Sequence, residues 1–282
     1  MIQAVRELMR PPPGLDFDFT QPPGEPALTP ADGVSWRIFA NPVSLFIGGV
    51  AAVLLELAEP SVRSGVWDHS SFRRDPAMRL RRTGFAAMMT VYGPQSAARD
   101  LIARVVRMHD RVKGRTPDGT FYEANDPRLL DWVHATAIFG FTEAFHRYVA
   151  PLTPAEKSAA FAEGEPAASL YGATGSPRSW GDWERLLAAV TPGLEPSPVL
   201  AEFLDIMETA PILPGPMRPL QRLYVRAAVE MTPEPVRSFA PLRERGLARA
   251  GTMMVSSMGS VARFVPLGSL PPAQATRRLR DR

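Results

Sequence analysis

The chain contains no cysteine. That absence removes disulfides, thiolate zinc sites, iron–sulfur clusters, thiolate-ligated haem and cysteine nucleophiles together. Histidine is scarce as well. Only His69, His109, His134 and His146 could give nitrogen to a transition metal. No two of them stand four residues apart, the spacing that helical zinc hydrolases use. The Gly-x-Ser-x-Gly elbow of serine hydrolases does not occur, nor does a glycine-rich phosphate loop or an internal repeat. A membrane-spanning helix needs about 20 apolar residues. The most apolar run, Val43 to Ala58, is shorter, contains Gly48-Gly49 and ends in a segment holding Glu56 and Glu59. It reads as a buried helix, with membrane-surface contact as the minor alternative. Met1 to Arg10 lacks a signal-peptide layout, so the expected location is cytoplasmic.

An excess of charge of either sign is also missing. A net +3 over 282 residues is small, and the basic residues gather locally at Arg73-Arg74, Arg79-Arg81-Arg82 and Arg277-Arg278-Arg280-Arg282. Nucleic-acid binding calls for a continuous basic face with stacking aromatics, and neither is visible in the sequence, so no nucleic-acid partner is expected.

Apolar residues are plentiful. At 45% hydrophobic and 22% charged, the chain can bury a substantial core. Pro22-Pro23-Gly24 and Pro26, with Pro11-Pro12-Pro13-Gly14 ahead of them, cannot continue a helix, so residues 1–34 form a proline-rich extension lying over the surface. Asn41-Pro42 opens a helix running to Ala58, and Asp75-Pro76 opens another ending at Gly93-Pro94. Further helices are expected from Gln95 to Lys113, from Pro127 to Val149, and onward from the Thr153-Pro154-Ala155-Glu156 capping box. Trp180–Val190, Leu200–Met207, Leu220–Met231 and Leu242–Val261 also read as helices. No stretch alternates long enough for a strand. The expectation is one all-α domain over residues 35–262 with eight to ten helices, followed by a basic, exposed tail at 263–282.

His109 stands between Val105, Val106 and Val112 at helical spacing, away from Arg107, Asp110 and Arg111. Two readings stay open: a core imidazole bonded to a backbone carbonyl, or a metal ligand. His134, between Leu130 and Ile138 beside Trp132, poses the same question, and the two could face one cavity. His146 lies near a helix end, where the dipole favours a cation, and is given no role. His69 reads as part of a structural loop before the Asp75 cap. Arg79, Arg82 and Thr83 share one helix face; pointing inward, the arginines would need an anion, such as the carboxylates of a cofactor.

The order Gly65-Val66-Trp67-Asp68-His69-Ser70-Ser71-Phe72, Asp75-Pro76, Arg79-Leu80, Thr83, Met108-His109 and Trp132-Val133-His134-Ala135-Thr136 resembles the rubber oxygenase (latex-clearing protein) and MpaB-type oxygenase family. So do Asp126-Pro127, Pro151-Leu152-Thr153 and Leu170-Tyr171-Gly172, and the similarity runs over roughly residues 35 to 240. The resemblance implies a helical domain enclosing a haem-sized pocket for haem b, with dioxygen and an apolar, unsaturated small molecule as substrates. It makes His109 the iron ligand, sets Arg79 and Thr83 in the pocket as the catalytic pair, and leaves His134 as the second ligand or pocket candidate. Two departures stand out. Where rubber oxygenases carry a lysine before the threonine, able to occupy the distal iron position, this chain has Arg82. A guanidinium has no lone pair for a metal, so Arg82 is left to pair with a haem propionate or to steer an acidic substrate. Where related bacterial chains often have histidine before proline, this chain has Glu59, an acid or base near the pocket or an exposed helix-end residue. Aromatics at 9% argue against a secreted polymer degrader. The competing expectation is a non-catalytic module that binds haem or an apolar ligand.

Overall fold

The structure, a computed structural model, describes residues 14, 16–213, 215–264, 268 and 270–280. Met1 to Arg10, the Pro11-Pro12-Pro13 run and Arg282 lie outside them. Among the described residues the helices begin with α1 (Val34–Phe39), α2 (Pro42–Ala58), α3 (Pro60–His69), α4 (Pro76–Tyr92) and α5 (Gln95–His109). A hairpin of β1 (Lys113–Arg115) and β2 (Phe121–Glu123) follows, antiparallel, with Gly114 opposite Tyr122. Then come α6 (Pro127–Tyr148), α7 (Pro154–Tyr171), α8 (Trp180–Val190) and α9 (Pro198–Thr209). The chain continues with α10 (Arg218–Met231), α11 (Glu234–Arg237), α12 (Arg249–Ala262) and α13 (Pro271–Arg280). The fold is all-α, as expected, but divided into more helices than eight to ten.

Six helices open on the same signal, a polar side chain followed by proline. Asn41, Glu59, Asp75, Asp126, Thr153 and Ser197 each accept a hydrogen bond from a backbone N–H of the first turn. Proline sits where its missing N–H costs nothing. The same signal, at Glu59-Pro60, opens α3, a helix not among those expected from the sequence. His69 is therefore the last residue of a helix and not part of a loop, and its Nε2 lies 3.2 Å from the Tyr122 hydroxyl. Glu59 is a helix-end residue, though buried: it accepts from Val62 N at 2.6 Å and faces Arg128 at 3.7 Å.

α2 is apolar on every side, the pattern of a helix buried all round, and it pairs with α6 at the centre of the molecule. Gly48 and Gly140 allow the close approach. A Cβ on Gly48 would fall 2.7 Å from the Gly140 carbonyl oxygen, and one on Gly140 would fall 2.4 Å from that of Gly48. Trp132 Nε1 donates to the Leu55 carbonyl across the same seam at 3.2 Å. Among the described residues no single helix is long and apolar enough to cross a membrane; α2 and α3 pass such a test only as a pair bent by 111°.

Three expectations need correction. The helix after Gly93-Pro94 ends at His109, because Val112 and Lys113 turn into the hairpin and Ala124 N bonds the Val112 carbonyl. The helix expected from Leu242 begins only at Arg249: Gly246 lies against the Glu230 carboxylate, which also accepts from Leu247 N, and this holds the preceding chain in turns. The basic tail is not an exposed end. α13 packs on α4, and Arg278, 0% exposed, donates to the carbonyls of Phe19, Glu25 and Tyr92 at 2.8–2.9 Å. Arg278→Ala would strand three carbonyls, and about 2 kcal/mol of destabilisation is expected, readable as a lower urea midpoint with unchanged slope.

Candidate active site

α4 forms one wall of the site. Only Met88, Met89, Val91 and Tyr92, at its end, are buried, so the first half, carrying Arg79, Arg82 and Thr83, stands off the core. Thr83 Oγ1 donates to the Arg79 carbonyl at 2.9 Å, and Arg79 Nη1 donates to Thr83 Oγ1. The four-residue spacing thus gives an interlocked pair. Thr83 and Arg82 are exposed; Arg79 is half-buried, and burial, above all, lowers the pKa of its guanidinium.

Glu56 of α2 acts on Arg79 through its charge, without an ion pair between them. Burial raises the Glu56 carboxyl to about 7, against the opposing pull of Arg79 and the Thr136 hydroxyl. Glu56 is absent from the sequence-derived candidates, although the signal was there: it is the one charged residue inside an otherwise apolar helix. A carboxyl with a raised folded pKa binds more protons folded than unfolded. Its contribution to stability is therefore complete below about pH 4.5 and is lost as pH rises through about 7. Glu56→Gln is expected to flatten this dependence, so thermal midpoints at about pH 5 and about pH 8 should differ less in the variant than in the parent.

His109 closes α5 opposite this pair. Its ring is half-buried, and its Nδ1 is sealed from solvent without a hydrogen-bond partner. Burial first, then the Arg79 charge, lowers its pKa, while Asn125 and Asp110 draw it back up. Asn125 Nδ2 is held by the Val106 carbonyl at 3.1 Å and Asp110 Oδ1 at 2.7 Å. The imidazole is therefore biased toward the neutral form that a metal requires.

His134 lies elsewhere on α6. Burial pushes its pKa down to about 4, and its Nε2 is sealed and without a partner. That nitrogen faces α7, 3.0 Å from where a Cβ on Gly164 would sit. Thr136, two residues on, faces Glu56, and two residues turn a helix by about 200°. Arg79, Thr83, His109 and Glu56 thus assemble, Arg82 sits on their outer edge, and His134 occupies the α6–α7 seam. His146 is structural, its Nδ1 accepting from Leu152 N at 2.9 Å. Two surface clefts, of about 250 and 390 Å³, beside α8 include none of these residues.

The donor set limits the chemistry. Among the described residues no three histidine, aspartate or glutamate side chains cluster to hold a metal ion. A metal here would need to bring most of its ligands with it, as iron does in a porphyrin, and take one imidazole from the chain. The partnerless His109 Nδ1 and the adjacent Arg79 cation fit a group of that kind.

Fold and site define an all-α domain in which a half-buried imidazole stands beside the Arg79–Thr83 pair and the half-buried carboxyl of Glu56. The model of the catalytic domain of the ER-bound oxygenase mpaB/B' and rubber oxygenase matches residues 36–264, and the chain belongs to that family of oxygenases. No curated protein and no solved structure matches it.

Proposed function

We propose that the chain is a haem-b-dependent oxygenase using dioxygen on an apolar, unsaturated small molecule. The observation that carries this reading is the sealed, partnerless Nδ1 of His109 beside the Arg79–Thr83 lock, in a chain of an oxygenase family. Bound haem would supply the redox iron that activates dioxygen. His109 would hold that iron through its free lone pair. Arg79, whose guanidinium donates to Thr83 Oγ1, would orient an anionic or electron-rich group in the pocket. Glu56, with its carboxyl near neutrality, can hold or release a proton at its carboxyl oxygens next to Arg79. His134 is the alternative ligand, since its Nε2 is equally unpartnered.

The test is reconstitution of the full chain with haem, followed by visible spectra and oxygen-electrode assays with unsaturated isoprenoids and lipids. A Soret band with substrate-dependent oxygen consumption is expected, and no band after loading would overturn the assignment. Arg82, at the position of the rubber oxygenases' lysine, favours a second reading, a non-catalytic binder of haem or an apolar ligand. That protein would show the band and consume no oxygen.

A further inference from the structure

Basic charge is concentrated in the segment of chain that carries Arg79, Arg82 and His109. Residues 73–115, spanning α4, α5 and β1, contain eleven basic and three acidic residues, a net +8, while the whole chain carries only +3. The remainder is therefore net acidic. Elsewhere some arginines find carboxylates, Arg37 with Glu156, Arg63 with Glu195, Arg147 with Glu143, Arg178 with Glu165 and Arg245 with Asp205, while others, such as Arg218, Arg222 and Arg226 on α10, are exposed without an ion pair among the described residues. In this segment Arg73 pairs with Glu202. Arg82, Arg104, Arg107 and Arg111 are exposed and have no ion pair among the described residues. Arg82 lies nearest the site, one turn from Arg79, where its charge helps depress the Arg79 pKa. At the same end Met108, adjacent to His109, is 59% exposed, and Phe121 on β2 is 56% exposed. Arg82 is thus an exposed cation beside the Arg79–Thr83 pair, and the apolar Met108 and Phe121 are also left uncovered.

We infer that the substrate is an amphiphile whose apolar chain enters the site and whose anionic head, a carboxylate or a phosphate, is taken by Arg82 at the rim. This rests on the proposed oxygenase site and adds the class of molecule it accepts. A guanidinium offers a planar donor fork suited to either anion, and a net-positive rim raises the local concentration of such a ligand. Arg82 is exposed, so its replacement leaves the core untouched.

The test titrates the full chain, by tryptophan fluorescence below micelle-forming concentrations, with a long-chain unsaturated fatty acid, its methyl ester and an alkyl phosphate of equal length. At least one of the two anions is expected to bind about tenfold or more tighter than the ester, with the advantage shrinking as salt rises. Arg82→Gln should bring the anions down to the ester's affinity, and Arg82→Lys should restore part of the difference. Equal binding of ester and anions, or an advantage untouched in Arg82→Gln, overturns the inference. Lost haem affinity in Arg82→Gln with head-group preference intact also overturns it and assigns Arg82 to a propionate. Visible spectra on the same samples separate the two readings. Haem retained without head-group preference sinks this inference alone, whereas preference retained without haem binding sinks the oxygenase assignment alone.

Discussion

His109→Ala is expected to abolish the Soret band of the haem-loaded protein while leaving the far-ultraviolet circular dichroism unchanged. The ring is only half-buried and its Nδ1 has no hydrogen-bond partner at ordinary geometry, Asn125 being its polar neighbour, so its removal costs the fold little. The loss of haem affinity should be on the order of a hundredfold or more, equivalent to about 2.8 kcal/mol. His134→Ala is the matched control. Its Nε2 is also partnerless but lies in the α6–α7 seam, and its electrostatic neighbour is Glu165. The control should keep the band and lose some thermal stability, because a buried ring is replaced by a void. The reverse pattern, with the band lost in His134→Ala and kept in His109→Ala, would move the ligand to the α6–α7 seam.

Gly48→Ala carries the largest expected effect on stability. The new methyl would meet the Gly140 carbonyl oxygen and carbon and the Phe141 Cα at 2.7–2.8 Å, all of them backbone atoms that cannot rotate away. Relief requires α2 and α6 to separate, and these two helices form the centre of the core. A cost of about 3 kcal/mol is expected, a lowering of the thermal midpoint by roughly 6–12 °C. Gly140→Ala strains the same contact from the other side, at 2.4 Å from the Gly48 carbonyl oxygen. The double variant should therefore cost less than the sum of the two. Because Glu56 and Thr136 sit on these two helices, the shift should also move the pH dependence of stability described for Glu56. Unchanged stability in Gly48→Ala would mean that the two helices are not in backbone contact.

What could be read in advance followed from local rules. Asn41-Pro42, Asp75-Pro76, Asp126-Pro127 and the Thr153 capping box fixed helix starts, because an N-cap and its proline act over a few residues. The Arg79–Thr83 relation was legible for the same reason, a spacing of four on one helix. What stayed hidden depends on distance across the chain. The three-residue strands are too short to show alternation, and Gly114 enters the hairpin to lie against Tyr122. The charge that acts on Arg79 comes from α2, and nothing local to α4 identifies it. The placement of His134 is set by Gly164, thirty positions along the chain, whose missing side chain opens the seam. The interior position of Arg278 was unreadable because its three acceptors lie at Phe19, Glu25 and Tyr92.

That last contact has a bearing on how the molecule is made. Phe19 and Glu25 leave the ribosome some 250 residues before Arg278, yet one guanidinium joins both to the carboxyl end of α4. During synthesis the helix that carries Arg79 and Thr83 can be formed but not yet clasped, because its fastener has still to be translated. A stop codon between α12 and position 278 would thus yield a chain with every residue of the candidate site and an unfastened wall. Such a product should be recognised by protease cleavage near residues 16–33 and not by any gap in its candidate-site residues.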